Sequence, residues 1–301
     1  MSRAQKTQLD ILFVDTSISI ARLLQGHSIR DRIERTTAKF RTCSGLVSRQ
    51  EFKRRVLKDA RYLLDVLDRR GGFEDSLRYL NGIRPYQNVG RKAAICIDLM
   101  ADITGNDDHE KTDRLRCKLI RLLKSGLVLF DSWFDCNNTA SQCWCGKQNV
   151  TVRQKGSRKE YEFGGERCSA LTTGQCGIAS LIAICAVERK KILNYLQSLP
   201  ATRKTSELTN AEKFLMEVEA DPTTAESLDP CLKVGDLVIA LESVVADAKV
   251  VYTMNGRESQ HLCRALGQGL VVSPPDPDLD DVECLASDPD SWRDFGPKAP
   301  T

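Results

Sequence analysis

Three acids stand at element boundaries in apolar surroundings: Asp15 after the run 9–14, Glu51 at the opening of a helix, and Asp236 before Leu-Val-Ile-Ala-Leu. Carboxylates gathered at one place repel one another unless a cation shares them. Hard oxygen donors with room for water suit Mg²⁺ or Mn²⁺, which activates a water and neutralises a phosphate during its transfer. Each acid also has a purely structural reading. Asp15 and Asp236 read as helix N-caps, and Glu51 as the last residue of a capping box, Ser48-Arg49-Gln50-Glu51. A second set of ligand types is sulfur. Of 12 cysteines, Cys136, Cys143, Cys145, Cys168 and Cys176 fall within 41 residues. Tetrahedral Zn²⁺ takes four thiolates at about 2.3 Å, so one ion could staple this stretch. Cys143, Cys145, Cys168 and Cys176 are the favoured set, with Cys136 as substitute. Unpaired buried thiols and redox use remain open as alternatives. Only three histidines occur, so a histidine base has few candidates.

Apolar spacing supplies the elements that must position these groups. Residues 9–14 read as a buried strand ending at Asp15-Thr16-Ser17, and 18–24 as a helix. Residues 42–47 read as the start of a helix. A helix from about 49 to 67 follows, with Phe52, Val56, Leu57, Leu63, Leu64 and Leu67 at three- and four-residue intervals. Gly71-Gly72 breaks it, and further helices are expected over 74–80, 92–103 and 110–124. Residues 127–130 read as a strand, and 150–154 with 160–163 as a hairpin around 155–157. Residues 177–199 read as helical up to Pro200, and a capping box at 209–212 opens another helix. Helix 236–245, strand 250–253, helix 258–266 and strand 270–272 then suggest a parallel sheet.

The chain of 301 residues leaves room for about two domains. With 41% apolar and 28% charged residues it excludes a collagen and a wholly disordered chain. The longest apolar stretch, 177–187, is short of the roughly 18 residues a membrane span needs. Asp10 and Asp15 interrupt the place where a signal peptide wants an apolar run, so a cytoplasmic protein with reduced thiols and no membrane partner is expected. The net charge of +3 is unevenly spread. Residues 273–301 carry −6 and residues 22–70 carry +8. A basic region of that density fits a polyanion such as nucleic acid, or a solvated helix face. Arg49, Lys53 and Arg54 are its candidate contacts, joined by Arg153, Lys155, Arg158 and Lys159 on the hairpin.

The wording around the acids resembles the PIN-domain nuclease family. Ile11-Leu12-Phe13-Val14-Asp15-Thr16-Ser17 is similar to its first strand and acid, and Ser44 to Phe52 to its second acid on a helix start. Gly235-Asp236-Leu237-Val238-Ile239-Ala240-Leu241 is similar to the third acid. Lys249 to Asn255 resembles the strand leading to a Thr-Asn-Asp turn, and Leu270 to Pro274 the closing strand. The resemblance covers about residues 9–70 and 225–274. It implies a three-layer α/β/α domain with a central parallel sheet, and hydrolysis of phosphodiester bonds, RNA before DNA, leaving 5′-phosphate and 3′-hydroxyl ends. Asp15, Glu51 and Asp236 would hold the Mg²⁺ or Mn²⁺. Asn255 occupies the place of the family's fourth acid and removes one negative charge from the site.

The implied organisation is a discontinuous PIN-like domain over 1–70 and 200–272 and a helical insertion over 71–125. A cysteine-rich, zinc-stapled module with its following helix occupies 126–199, and an acidic tail 273–301. The expected function is a metal-dependent endoribonuclease. The alternative is a non-catalytic nucleic-acid-binding or interaction protein with a degenerate site. A regulated effector, whose acidic tail covers the basic region or which answers to a regulatory protein partner, is a third reading. Oligomeric state is not legible.

Overall fold

The computed structural model describes residues 9–138, 148–156, 158–164, 177–199, 212–216 and 235–272. Strand β1 (Ile11–Val14) lies at the centre of the main sheet because Leu12, Phe13 and Val14 offer apolar side chains to both faces. Helices α1 (Thr16–Leu24) and α2 (His27–Thr37) lead to β2 (Arg41–Gly45). After a long helical region, β3 (Cys136–Asn138) joins the edge. The chain then returns through α10 (Gly235–Val245), β6 (Val250–Thr253), α11 (Gly256–Leu266) and β7 (Gly269–Val272). The strand order is β3-β2-β1-β6-β7, and every neighbouring pair is parallel.

Both faces are covered. Phe13, Cys43, Val251 and Leu270 pack with helices α8 (Gly177–Ile184), α9 (Ala186–Ser198) and α10. Leu12, Val14, Val250 and Tyr252 pack with Ile18, Ala21 and Ile33 of α1 and α2. The expected α/β class with a central parallel sheet is therefore present. The order runs outward from β1 to β2 and β3, then reverses to β6 and β7. The carboxyl ends of β1 and β6 thus flank the switch point, where open α/β sheets hold their ligands.

A second apolar core lies beside the sheet. Helix α3 (Leu46–Phe52) continues through one π-helical turn, Lys53–Leu57, into α4 (Lys58–Arg70). Helices α5 (Phe73–Ile83), α6 (Gln87–Ala101) and α7 (Asp108–Asp131) pack on it through Leu63, Leu67, Leu80, Leu99 and Leu119. Each such burial is worth about 1.5–3 kcal/mol, so this unit is a core of its own and not a surface decoration. Gly71, at φ +87°, closes α4 in the left-handed conformation that glycine adopts without a Cβ penalty. The expected hairpin is present as β4 (Val150–Lys155) and β5 (Arg158–Phe163), with Val152 opposite Tyr161.

Three local expectations are corrected. Residues 127–130 are not a strand but the last turn of α7, where Leu119, Leu122, Leu123, Gly126, Leu127 and Phe130 prolong the helical burial pattern. Residues 41–45 form a central strand and not a helix start, since pairing with β1 on one side and β3 on the other outweighs their polar composition. In consequence α3 begins at Leu46 behind the N-cap Gly45. Ser48 therefore lies inside the helix, and the expected capping box with Glu51 does not form. Helix α2 and strand β3 were not legible from spacing.

Candidate active site

Asp15 leaves the carboxyl end of β1, its backbone N–H donating to Tyr252 O at 2.9 Å, and caps α1. Its Oδ1 accepts from Thr16 N at 2.5 Å. Its Oδ2 accepts from Ser17 Oγ at 2.6 Å and from Thr253 Oγ1 at 2.7 Å. Thr253 is fully buried at the end of β6, so two strands 238 positions apart are joined through one carboxylate oxygen. The same hydroxyls also order the turn after β6: Ser17 Oγ accepts from Met254 N, and Thr253 Oγ1 from Asn255 N, both at 2.9 Å. The capping and the site readings of Asp15 thus coexist, one on each oxygen.

Glu51 reaches the same place from α3. Its carboxyl is held above the usual carboxylate range, chiefly by burial; Arg55 and Arg91 act against this, and the nearby Asp15 charge adds to it. A hydrogen bond with Thr16 ties it to the residue whose backbone N–H donates to Asp15. Arg55 Nη2 stands 3.7 Å from Glu51 Oε1. On the other side, a Cβ at Gly235 would lie 3.0 Å from Glu51 Oε1, so the start of α10 sits directly against this carboxylate. Asp236, half-buried in the first turn of α10, is the next residue.

Asp15, Glu51 and the α10 N-terminus are therefore brought to one end of the sheet. Among the described residues, no three His, Cys, Asp or Glu side chains are grouped tightly enough to enclose one ion. Asn255 is exposed and precedes α11 without a side-chain capping bond.

One acid escaped sequence reasoning. Glu242 is fully buried on α10, and its carboxylate fills the space where a Cβ at Gly45 would stand. Gly45 ends β2, so α10 runs across α3 with Gly235 against Glu51 at one end and Glu242 against Gly45 at the other. The available signal was a lone carboxylate inside the run 237–245, apolar but for the adjoining Ser243.

The basic candidates go elsewhere. Arg49 forks onto Asp131, Nε to Oδ1 at 2.8 Å and Nη2 to Oδ2 at 3.0 Å, and reaches Asn149 Oδ1 at 3.0 Å. Lys53 is buried, its Nζ donating to the carbonyls of Gln148 at 3.0 Å and Gly164 at 2.6 Å, the two ends of the hairpin. Two positions along a helix turn by about 200°. Arg49 and Lys53 consequently face the hairpin, while Glu51 and Arg55 face Asp15 and Gly235. Arg54 lies against the Gln50 amide, whose oxygen accepts at 3.1 and 3.3 Å in the orientation that satisfies both groups.

On the hairpin, Arg153 pairs with Glu162 at 3.1 Å and Lys155 with Glu160 at 3.4 Å. Lys159 is exposed, and Arg158 opens β5. An apolar groove of about 590 Å³ between α1 and α7, lined by Leu23, Leu122, Val128 and Leu129, contains none of the acids.

Cys136 lies in β3 in register with Cys43 of β2. Its thiol is lowered to about 7, first by a hydrogen bond with Cys43 and then by the Arg41 charge, against burial and Asp135. Cys143, Cys145, Cys168 and Cys176 lie outside the described residues, as does the acidic stretch 273–301. No described helix is long and apolar enough to cross a membrane. Compared with known proteins, the chain matches no family model, no curated protein and no solved structure.

Proposed function

We propose that the protein is a metal-dependent endoribonuclease of PIN-like architecture, hydrolysing phosphodiester bonds at the carboxyl ends of β1 and β6. The observation that carries this reading is the convergence of Asp15, Glu51 and the α10 N-terminus, from three distant parts of the chain, at the switch point of a parallel sheet. The donor chemistry suits Mg²⁺ or Mn²⁺, and the three acids must draw closer than they stand to enclose one ion. The set is all carboxylate oxygen, and Glu51 already responds to the charge of Asp15, a repulsion that a dication relieves. Asp15, Glu51 and Asp236 are the residues that would hold the ion. When bound, such an ion lowers the pKa of a water and offsets the charge of the phosphate.

The chain's own groups prepare that place. The Ser17 and Thr253 hydroxyls fix the orientation of Asp15 through Oδ2. Oδ1 keeps a second lone pair beyond the one given to Thr16 N. Arg55 stands beside Glu51 as a cation for an incoming phosphate. Zinc in the stretch 143–176 remains part of the proposal on sequence grounds alone.

The test is cleavage of labelled RNA in Mg²⁺ or Mn²⁺. Asp15→Asn and, separately, Asp236→Asn should each lower the rate by about 100-fold or more with the circular dichroism spectrum unchanged. Cleavage that survives both substitutions would sink the proposal. Asn255, standing where the resemblance places a fourth acid, favours one competing reading, a nucleic-acid-binding protein without catalysis. RNA bound but not cut by the unmodified chain is its outcome.

A further inference from the structure

Beside the acids, the π turn, α4, α5 and α6 bring cations next to two aromatic rings. Arg55 and Arg91 both act on the Glu51 carboxyl. Eight residues further along the helix, Asp59 is buried, its carboxyl pushed up to about 6 by burial while Lys92, Arg91 and Lys58 pull it down. Arg91 is therefore within electrostatic reach of both carboxylates, and Lys58, Arg91 and Lys92 are exposed. Four cations against two carboxylates leave the ledge positive.

Aromatic faces continue it. Lys92 Nζ lies 4.9 Å from the centre of the Tyr62 ring, and Arg70 lies 4.1 Å from that of Tyr79. The two tyrosine hydroxyls meet at 3.5 Å, linking α4 to α5. From Glu51 to Arg70 the helix runs roughly 28 Å at 1.5 Å per residue, long enough for several nucleotides. By contrast, Arg49 and Lys53 are bonded on the opposite face of the helix, and Arg153 and Lys155 are paired with hairpin glutamates.

We infer that this ledge is a track for single-stranded RNA leading to the acids, with phosphates against Arg55 and Arg91 and drawing Lys92 and Arg70 off the Tyr62 and Tyr79 rings they now cover, so that bases take the vacated faces. Cations alone would serve any polyanion. Cations interleaved with ring faces select a single strand, whose bases are free to stack, over a duplex or an acidic peptide. The destination of the track rests on the hydrolase reading; the binding itself does not.

The experiment is fluorescence anisotropy of the full chain with a labelled single-stranded RNA in EDTA, where no turnover occurs, at several salt concentrations. Arg91→Gln/Lys92→Gln should weaken binding by about tenfold and flatten the slope of log K against log salt by about 1.4, the loss of two single-strand phosphate contacts. Lys92→Gln alone, an exposed change that spares the fold, should flatten it by about 0.7. Tyr79→Leu should weaken single-strand binding by fivefold or more, in the range of one lost stack, and leave duplex binding alone. Arg114→Gln/Lys249→Gln removes the same charge elsewhere and should change affinity less than twofold.

Equal loss in the two double variants, an unchanged slope in Lys92→Gln, or displacement of RNA by polyglutamate of the same charge would overturn the inference. Asp15-dependent cleavage is measured separately. Cleavage can therefore persist while the track fails, and the track can hold where cleavage is absent.

Discussion

Helix α3 and the turn after it carry five charged residues, and four of them, on two faces, meet different fates. Arg49 and Lys53 point to the hairpin and α7, and both are hydrogen-bonded inside the molecule. Glu51 and Arg55, rotated by about half a turn, point to Asp15 and α10 and are paired only at 3.7 Å. Burying a cation is tolerable when its hydrogen bonds are satisfied, which is why Lys53 sits between two carbonyls. The loose Glu51–Arg55 pair leaves both groups able to turn to a ligand, as Asp15 keeps a second lone pair on Oδ1. Charge density marked residues 22–70 as one basic region; geometry divides it into cations that hold the fold and cations left at the surface.

The largest effect should come from breaking the buried face. Lys53→Ala leaves two carbonyls without their donor and should cost about 2–4 kcal/mol by denaturant titration, while RNA affinity in EDTA at a permissive temperature stays within twofold. Lost affinity with unchanged stability would erase the distinction between the faces. A smaller effect follows for Arg49→Lys, which keeps the charge and loses the planar fork onto Asp131. About 1 kcal/mol of stability should go, again with RNA affinity preserved.

The smallest effect sharpens the other face. The Asp59 carboxyl is raised from 3.8 to about 6, so the folded chain holds this proton more tightly than the unfolded one. Stability contributed by this group is greatest below about pH 4, falls as the pH rises to about 6, and stays low above it. Asp59→Asn should accordingly raise the melting temperature at pH 8 by about 1–2 °C, at most about 1 kcal/mol in a chain of this size, and have little effect at pH 4. Equal gains at both pH values would show that the Asp59 carboxyl is not desolvated at this ledge.

Much of the sheet was legible because its signals are local. Leu12, Phe13 and Val14 form an unbroken apolar run, and strand 250–253, helix 256–266 and strand 269–272 follow in quick succession. What failed depended on distant partners. Thr42, Cys43 and Ser44 have little strand character, and only β1 and β3 on either side make them a strand. Residues 127–130 look like a strand alone and become a helix because the buried face of α7 runs through them. At the site, Asp15, Glu51 and Asp236 could be named from the edges of apolar segments. The roles of Arg49 and Lys53 could not, because their partners lie 82 to 111 positions further along the chain. Glu242 was hidden by the run that buries it.

The single π-helical turn at Lys53–Leu57 has a consequence for the whole architecture. It adds one residue to an otherwise continuous rod, and one residue of α-helix is worth about 100° of rotation. That surplus sets the azimuth at which the helical half is keyed to the sheet half. Deleting one amino acid there would let the rod close to ordinary pitch with Asp59 and Tyr62 still facing as they do, whereas ordinary pitch at full length would swing both by about 100° and turn the ledge another way.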